Sequence, residues 1–223
     1  MNMYLTISSL KKSYQFGKEE IQVIKSLNAK IPLQKLITIM GPSGSGKSTL
    51  MNILSGVDKA DSGSIKIGNL EITSFNEKEI TEYRRKKIGI IFQFFNLLPY
   101  LSSLENVCIP LYLSGFTKKI AREKAKSALD SVGLNSRLSH KPAELSGGEQ
   151  QRVAIARAIV NEPEFIFADE PTGNLDSENS TKIMNLLKTL RVERNFTIFM
   201  VTHNPEIGNL GEVKLTMRDG FFI

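Results

Sequence analysis

Nine consecutive residues, Gly41-Pro42-Ser43-Gly44-Ser45-Gly46-Lys47-Ser48-Thr49, constrain this chain more than any others. An apolar run, Leu36-Ile37-Thr38-Ile39-Met40, precedes them, and Leu50-Met51-Asn52-Ile53-Leu54 follows. The pattern is a strand, a glycine loop and a helix, with G-x-x-x-x-G-K-[ST] spacing in the loop. Glycines let successive backbone N–H groups turn inward and approach phosphate oxygens closely. A helix that starts near Gly46 adds unpaired N–H groups and the positive end of its dipole. Lys47 is placed to reach the β- and γ-phosphates of a nucleotide, and the Ser48 hydroxyl to take one position on Mg²⁺. Every fixed position is present in the right context, so the loop is more than a turn joining a strand to a helix.

The 223 residues suit one large α/β domain, or a core with a smaller appendage. A net charge of +6 raises nucleic acid or an anionic membrane face as partners. The basic residues are spread along the chain, however, and the one cluster, Arg84-Arg85-Lys86-Lys87, reads as a solvated face. No nucleic acid is expected as a partner. The single cysteine, Cys108, lies between Val107 and Ile109 and reads as packing; one thiol excludes an intramolecular disulfide framework. No uninterrupted apolar run approaches the roughly 18 residues of a membrane-crossing helix. Residues 1–6 lack the basic start and long apolar core of a secretory signal. A cytoplasmic, reducing setting is expected.

Residues 3–9 and 21–31 read as strands with a turn at 14–18, a small antiparallel sheet ahead of the phosphate loop. Tyr14 reads equally as a half-buried aromatic at a strand end and as a flat surface for an adenine. Residues 63–67 and 70–72 form a hairpin around Gly68-Asn69, and Asn76 with Glu79 starts a helix. Residues 87–92 are a buried strand ending at Gln93. The stretch 94–116 is apolar and interrupted, read as mostly core, with a second capping box at Ser102 and Glu105. A helix over 118–132 presents Ile120, Ala125, Ala128, Leu129 and Val132 on one face. Another starts at Gly147 and is ended by Pro163. Phe165-Ile166-Phe167-Ala168-Asp169-Glu170 is an apolar strand that terminates in two acids. The helix after Ser177 has Ile183, Leu186, Leu187 and Leu190 as core. Residues 196–201 are another buried strand, and 213–217 with 221–223 close the sheet as a hairpin around Asp219-Gly220. This alternation predicts a mostly parallel sheet covered on both faces, with the helical block between two of its strands as an inserted subdomain.

Nucleotide sites in open α/β sheets lie beyond the carboxyl ends of the strands. Four strand ends carry polar groups here: the phosphate loop, Gln93, Asp169-Glu170 and His203. Two carboxylates ending an apolar strand are costly unless a cation or a donor meets them. Asp169 is placed to hold Mg²⁺ through water. Glu170, in strand geometry, points elsewhere and is placed to orient or deprotonate a water. Gln93 would bridge metal and attacking water, and His203 would donate a hydrogen bond to the γ-phosphate. Leu145-Ser146-Gly147-Gly148-Glu149 is a second serine-and-glycine loop opening a helix, hence a second anion site. The two helix starts would clamp one ATP within a chain, or two chains would pair head to tail. Sequence physics does not choose between these.

The whole chain resembles the ATPase subunit of an ABC transporter. The phosphate loop, Gln93, Leu145-Ser146-Gly147-Gly148-Glu149-Gln150, the acid-tipped strand, Asn174-Leu175-Asp176 and His203 carry the resemblance, in family order. It implies an α/β fold: a P-loop NTPase core with a mostly parallel sheet, an N-terminal antiparallel β subdomain and an inserted α-helical subdomain. The expected organisation is one domain over 1–223, with core at about 1–93 and 162–223 and a helical subdomain at about 94–161. The resemblance further implies that Tyr14 stacks on adenine, Ser48 and Gln93 contact Mg²⁺, Glu170 is the catalytic base and Asp176 lies at a dimer contact. Ser146 and Gly148 would grip the γ-phosphate of the ATP on the opposite subunit, with Gly147 and Glu149 in the same signature. That implies a homodimer around two ATP. Glu149 departs from the glutamine of many members, a variant common in one branch. Phe92-Gln93-Phe94-Phe95-Asn96-Leu97-Leu98-Pro99, Leu104-Glu105-Asn106-Val107 and 168–176 resemble that branch, the macrolide-exporter, lipoprotein-releasing and antimicrobial-peptide-resistance ATPases. A separate integral-membrane permease is the expected partner, docked on 94–116, with the subunit peripheral on the inner face of the membrane. A cell-division ABC ATPase shares the 168–176 pattern and is the alternative. DNA-repair ABC ATPases need a long coiled coil, and ABC-type translation factors a second cassette; this sequence shows neither.

Overall fold

The computed structural model describes residues 3–223. Its strands are β1 (Tyr4–Phe16), β2 (Glu19–Pro32), β3 (Leu36–Met40), β4 (Ser62–Ile67), β5 (Leu70–Glu71), β6 (Ile88–Ile91), β7 (Phe165–Asp169), β8 (Thr197–Val201), β9 (Val213–Arg218) and β10 (Phe221–Phe222). The helices are α1 (Lys47–Leu54), α2 (Glu77–Lys87), α3 (Ser103–Leu113), α4 (Lys118–Ser131), α5 (Gly147–Ile159), α6 (Ser177–Arg194) and α7 (Pro205–Gly208). Internal packing divides the chain into two units, the residues up to Arg84 with Thr197–Ile223, and Arg85–Phe196.

In the first unit, β1 and β2 run on through residues expected to turn. They pair from Tyr4 with Pro32 to Phe16 with Glu19, leaving a two-residue turn at Gly17-Lys18 with Gly17 at φ 64°. Tyr14 therefore lies inside β1, opposite Ile21, and not in a turn. β4 and β5 complete an antiparallel sheet in the order β2-β1-β4-β5, with Gly68-Asn69 as the expected hairpin. The same unit holds β3 between β8 and β9, both parallel to it, and β10 returns antiparallel on β9. Four of the five residues of β3 and all five of β8 are buried, the pattern of parallel strands covered on both faces. α1 packs against β8 and α7 against β3. The start of α2 is the expected capping box, with Asn76 Oδ1 accepting from Glu79 N and Glu79 Oε2 accepting from Asn76 N.

In the second unit, β6 and β7 pair in parallel from Ile88 with Phe165 to Ile91 with Ala168, and α5 packs on β6, α6, α3 and α4. Val107, Cys108, Leu111, Ala121, Ala125, Leu129, Val153, Ile155 and Ile159 form the core of its helices. Ser102 and Glu105 cap α3 reciprocally, as their spacing predicts. Ile120 is 43 % exposed, however, and Ala121 takes the buried place. The buried row of α4 is 121, 125, 128 and 129, and Ile120 falls one residue off it. In α6 Met184 is buried where Leu186 was expected.

The stretch 94–116 divides. Leu104, Val107, Cys108 and Leu111 are core, whereas Phe94 (71 % exposed), Leu98 and Tyr100 (86 % exposed) lie outside it. Backbone hooks from elsewhere in the unit fix this outer segment. The fully buried Asn106 amide donates to Leu98 O, Leu101 O and Ser102 O at 3.2, 3.0 and 3.1 Å, and its Oδ1 accepts from Leu98 N at 2.8 Å. Arg157 donates to Phe95 O at 2.7 Å and to Asn96 O at 2.5 Å, and both of those residues have positive φ. Replacing Asn106 removes four bonds to the backbone of this segment, so Asn106→Ala is expected to cost roughly 2–4 kcal/mol. The exposed Leu98→Ala is expected to change stability by no more than about 0.5 kcal/mol. Urea unfolding of the two variants checks the contrast.

Candidate functional site

The phosphate loop leaves the buried strand β3 and enters α1, whose N-cap is Gly46 at φ 99°. No side chain caps this helix and no acid sits in its first turn. The N–H groups of Lys47, Ser48 and Thr49 have no intrahelical acceptor, because an α-helix leaves its first turn unpaired. The Lys47 ammonium is drawn back over the loop, donating to Gly41 O at 2.9 Å, Pro42 O at 2.7 Å and Ser45 Oγ at 3.3 Å. A Cβ at Gly41 would lie 2.0 Å from Met217 O, and one at Gly46 2.9 Å from Met217 Cε and 3.0 Å from Val23 O. The loop is thus walled by β2 and β9 of the same unit, and only glycine fits there. Pro42, Ser43, Gly44 and Ser48 are exposed, whereas Ser45 is buried. A bare helix N-terminus beside a tethered ammonium fits a polyphosphate.

Two further residues of interest share the first unit. His203 follows β8 and is exposed. The Tyr14 hydroxyl donates to Asp58 Oδ2 at 2.6 Å, while its ring is 38 % exposed.

The second unit holds the remaining predicted residues. β7 stops at Asp169, and Glu170 turns into the left-handed region at φ 46° instead of continuing as strand. A non-glycine residue there is strained, and such strain collects at functional sites. Asp169 and Glu170 are both half-buried. β6 ends at Ile91, two residues before Gln93. Asn174 Nδ2 donates to Gln93 O at 2.9 Å, and a Cβ at Gly173 would fall 2.8 Å from Gln93 Nε2. Gln93 and the loop after Glu170 are therefore in direct contact. Among the described residues no group of three or more His, Cys, Asp or Glu side chains converges on a metal position. The oxygen donors expected for Mg²⁺ are Ser48 in the first unit and Gln93 and Asp169 in the second.

Ser146 caps α5, its Oγ accepting from Glu149 N at 3.3 Å while Glu149 Oε2 accepts from Ser146 N at 2.9 Å. Glu149 Oε1 also accepts from Arg137 Nε at 2.9 Å. The Glu149 carboxylate is thus turned back on its own loop and braces it. Asp176 caps α6 by accepting from Asn179 N at 2.8 Å, and Asn179 Nδ2 donates back at 2.7 Å. A Cβ at Gly148 would lie 2.9 Å from Asn179 Oδ1, so the signature glycine packs on the residue that Asp176 holds. Sequence reasoning missed Arg157, Asn106 and Gln151. Gln151 is fully buried and donates from Nε2 to Pro171 O at 2.6 Å, next to Glu170. All three bond backbone carbonyls, which leave no pattern in the sequence.

Residues 24–173 match the ABC transporter family. The chain belongs to that family, as its ATP-binding cassette. Relatives matched over nearly the whole of this chain agree. The lipoprotein-releasing system ATP-binding protein LolD of Legionella pneumophila (strain Paris) is 44 % identical over 219 residues, 98 % of this chain and 96 % of that protein. The macrolide export ATP-binding/permease protein MacB of Bdellovibrio bacteriovorus is 45 % identical over 218 residues, 97 % of this chain but 33 % of the longer protein. A solved dimeric structure of MJ0796, an ABC transporter cassette, superposes with a TM-score of 0.88 at 42 % identity, covering 98 % of this chain and 96 % of that one. MJ0796 has also been solved as a post-hydrolysis dimer bound to ADP and Pi. Like the family, the cassette binds ATP and is an ATPase. Among the described residues no helix is long and apolar enough to cross a membrane.

The bonds from Ser146 N–H and then Arg137 hold the Glu149 carboxyl below its ordinary value of 4.5. A carboxyl depressed in the folded state stabilises the fold above its ordinary value, and that stability fades as pH falls through the folded value. Glu149→Gln is therefore expected to lower stability at neutral pH by less than about 1 kcal/mol, since the ion pair is partly exposed. The gap to the parent should close on acidification below 4.5. Thermal melts of both proteins across that range measure it.

Proposed function

We propose that this cassette hydrolyses ATP at two sites formed between two copies of the chain, and that closing and opening of the pair drives a separate membrane permease. The observation that carries the reading is Glu170, held in a left-handed conformation at the tip of a buried strand. A non-glycine residue held there is strained, and such strain fits a base aimed at one spot.

In this reading Tyr14 stacks on the adenine, and the N–H groups of 43–49 with the Lys47 ammonium hold the phosphates, the lysine exchanging loop carbonyls for phosphate oxygens. Ser48, Gln93 and Asp169 would hold Mg²⁺, which would neutralise charge on the phosphate oxygens. Glu170 takes the proton of the attacking water, Gln93 orients that water, and His203 donates to the γ-phosphate. Ser146 Oγ and the N–H groups of Gly147 and Gly148 in one copy meet the γ-phosphate held by the other, with Glu149 bracing that loop from behind. Asp176 lies where the copies touch. The MJ0796 dimers support this arrangement. The chain is organised as one domain, with core at about 1–93 and 162–223 and a helical subdomain at about 94–161.

The names of LolD and MacB support a place in the lipoprotein-releasing and macrolide-exporting branch. The permease docks on the exposed apolar side chains Phe94, Leu98, Tyr100 and Leu113, which the fold leaves outside its core. The subunit then sits on the inner face of the membrane through that contact.

Glu170→Gln is expected to retain ATP binding, lose turnover by about 10²–10⁴-fold, and accumulate an ATP-bound dimer in size-exclusion chromatography. A variant that stays monomeric with ATP and turns over normally would refute the base assignment. Tyr100→Asp should abolish co-purification with the membrane permease while the isolated cassette keeps its turnover. Undiminished co-purification places the docking surface elsewhere.

A further inference from the structure

Lys12 is a cation set inside a β-sheet, only 9 % exposed, and nothing in the reading above uses it. Burying an ammonium is costly unless acceptors surround it. Its Nζ donates to Asp58 Oδ1 at 2.9 Å and to Lys59 O at 2.7 Å, and Asp61 Oδ1 lies 3.7 Å away. Asp58 spends its other oxygen on Tyr14, accepting from the hydroxyl at 2.6 Å. The ammonium also sits 5.0 Å from the centroid of the Tyr14 ring, within cation–π range. One lysine and one aspartate therefore grip this tyrosine at its face and at its tip.

The aspartate is itself anchored. Asp58 N donates to Asn52 O at 3.1 Å, which joins it to the far end of α1, the helix that starts at the phosphate loop. The Thr49 side chain, in the first turn of the same helix, also interacts with the Tyr14 hydroxyl. On the other flank Asp61 N donates to Lys11 O at 3.0 Å, and Asp61 Oδ2 accepts from Ser13 N at 2.6 Å. The 58–61 loop is thus clasped to β1 on both sides of Lys12.

We infer that Lys12 and Asp58 are positioning residues for nucleotide recognition, which lock the Tyr14 ring in one orientation and register it to the phosphate-loop helix, so that base and phosphates are met at a set spacing. The inference rests on the proposed stacking of Tyr14 on adenine. An exposed tyrosine on a strand would otherwise sample several rotamers and lose that freedom on binding. Fixing the ring beforehand removes the loss. The charges stay in place as well. Burial pushes the Asp58 carboxyl up, but the bonds from Tyr14 and Lys12 outweigh it and hold it below the usual range. Burial and the Asp58 bond together raise the Tyr14 hydroxyl, which therefore remains a donor.

The test compares ATP with inorganic tripolyphosphate, each with Mg²⁺, by calorimetry on the full chain. Tyr14→Phe keeps the ring and removes the tip of the grip; Lys12→Met keeps the stem and removes the charge. Each is expected to weaken ATP roughly three- to tenfold while tripolyphosphate affinity stays unchanged, and Tyr14→Ala should weaken ATP further. Full ATP affinity in Tyr14→Phe and Lys12→Met, with loss in Tyr14→Ala, would leave the adenine platform standing and overturn the positioning role. Equal weakening of ATP and tripolyphosphate would also overturn it, since the cluster would then only brace α1. If Tyr14→Ala binds ATP as the parent does, the stacking itself is wrong and the inference goes with it.

Discussion

An ammonium held by peptide carbonyls is the contact on which the first unit depends. Lys47 reaches back to Gly41 O and Pro42 O because the loop between them has turned its carbonyls toward one point. That turn is possible only with glycine at Gly41 and Gly46, where Met217 and Val23 leave no room for a side chain. The surrounding strands are therefore as much a part of the site as the loop. Gly220 N donates to Ser45 O at 3.2 Å and Lys25 N to Gly220 O at 3.1 Å, so the last hairpin and the second strand brace a loop far from both in sequence. The uncapped start of α1 then stays open, where α3, α5 and α6 close theirs with Ser102, Ser146 and Asp176.

The second unit is wired by amides. Asn174 ties Gln93 to the loop that follows Glu170, and Gln151 ties the signature helix to Pro171 at the start of that loop. Asn179 joins Asp176 to Gly148. The bonds of Asn174, Gln151 and Asn179 are short and directional, so a shift at one of these segments is felt at the next. Apolar packing alone would permit more slippage, because dispersion contacts carry little directional preference. Strained Glu170 sits where these links converge, which accounts for a conformation that its own side chain disfavours.

Most of the architecture was legible before any coordinates. Strand order in the chain, the capping boxes at Asn76 and Ser102, and the Gly68-Asn69 and Asp219-Gly220 turns all follow from local chemistry that the fold leaves undisturbed. The failures have physical causes as well. The aromatics Tyr14 and Phe16 favour a strand, and pairing with β2 extends residues 14–16 as one, so that the turn contracts to Gly17-Lys18. Ile120 is exposed because the helix phase is set by a row of alanines with little hydrophobic signal of their own. Glu170 looks like one more strand residue until the backbone is seen to reverse there. The polar hooks, Asn106 and Arg157, were hidden for a simpler reason: their partners are backbone carbonyls, which have no signature in a sequence.

Those hooks bear on how such a subunit diversifies. The path of residues 95–101 is dictated by Asn106 and Arg157, side chains that belong to helices α3 and α5 and not to the segment itself. Leu98 and Tyr100 face outward and contribute little to folding. Outward residues there are free to drift, because the path of the backbone beneath them is held by side chains that lie elsewhere in the sequence.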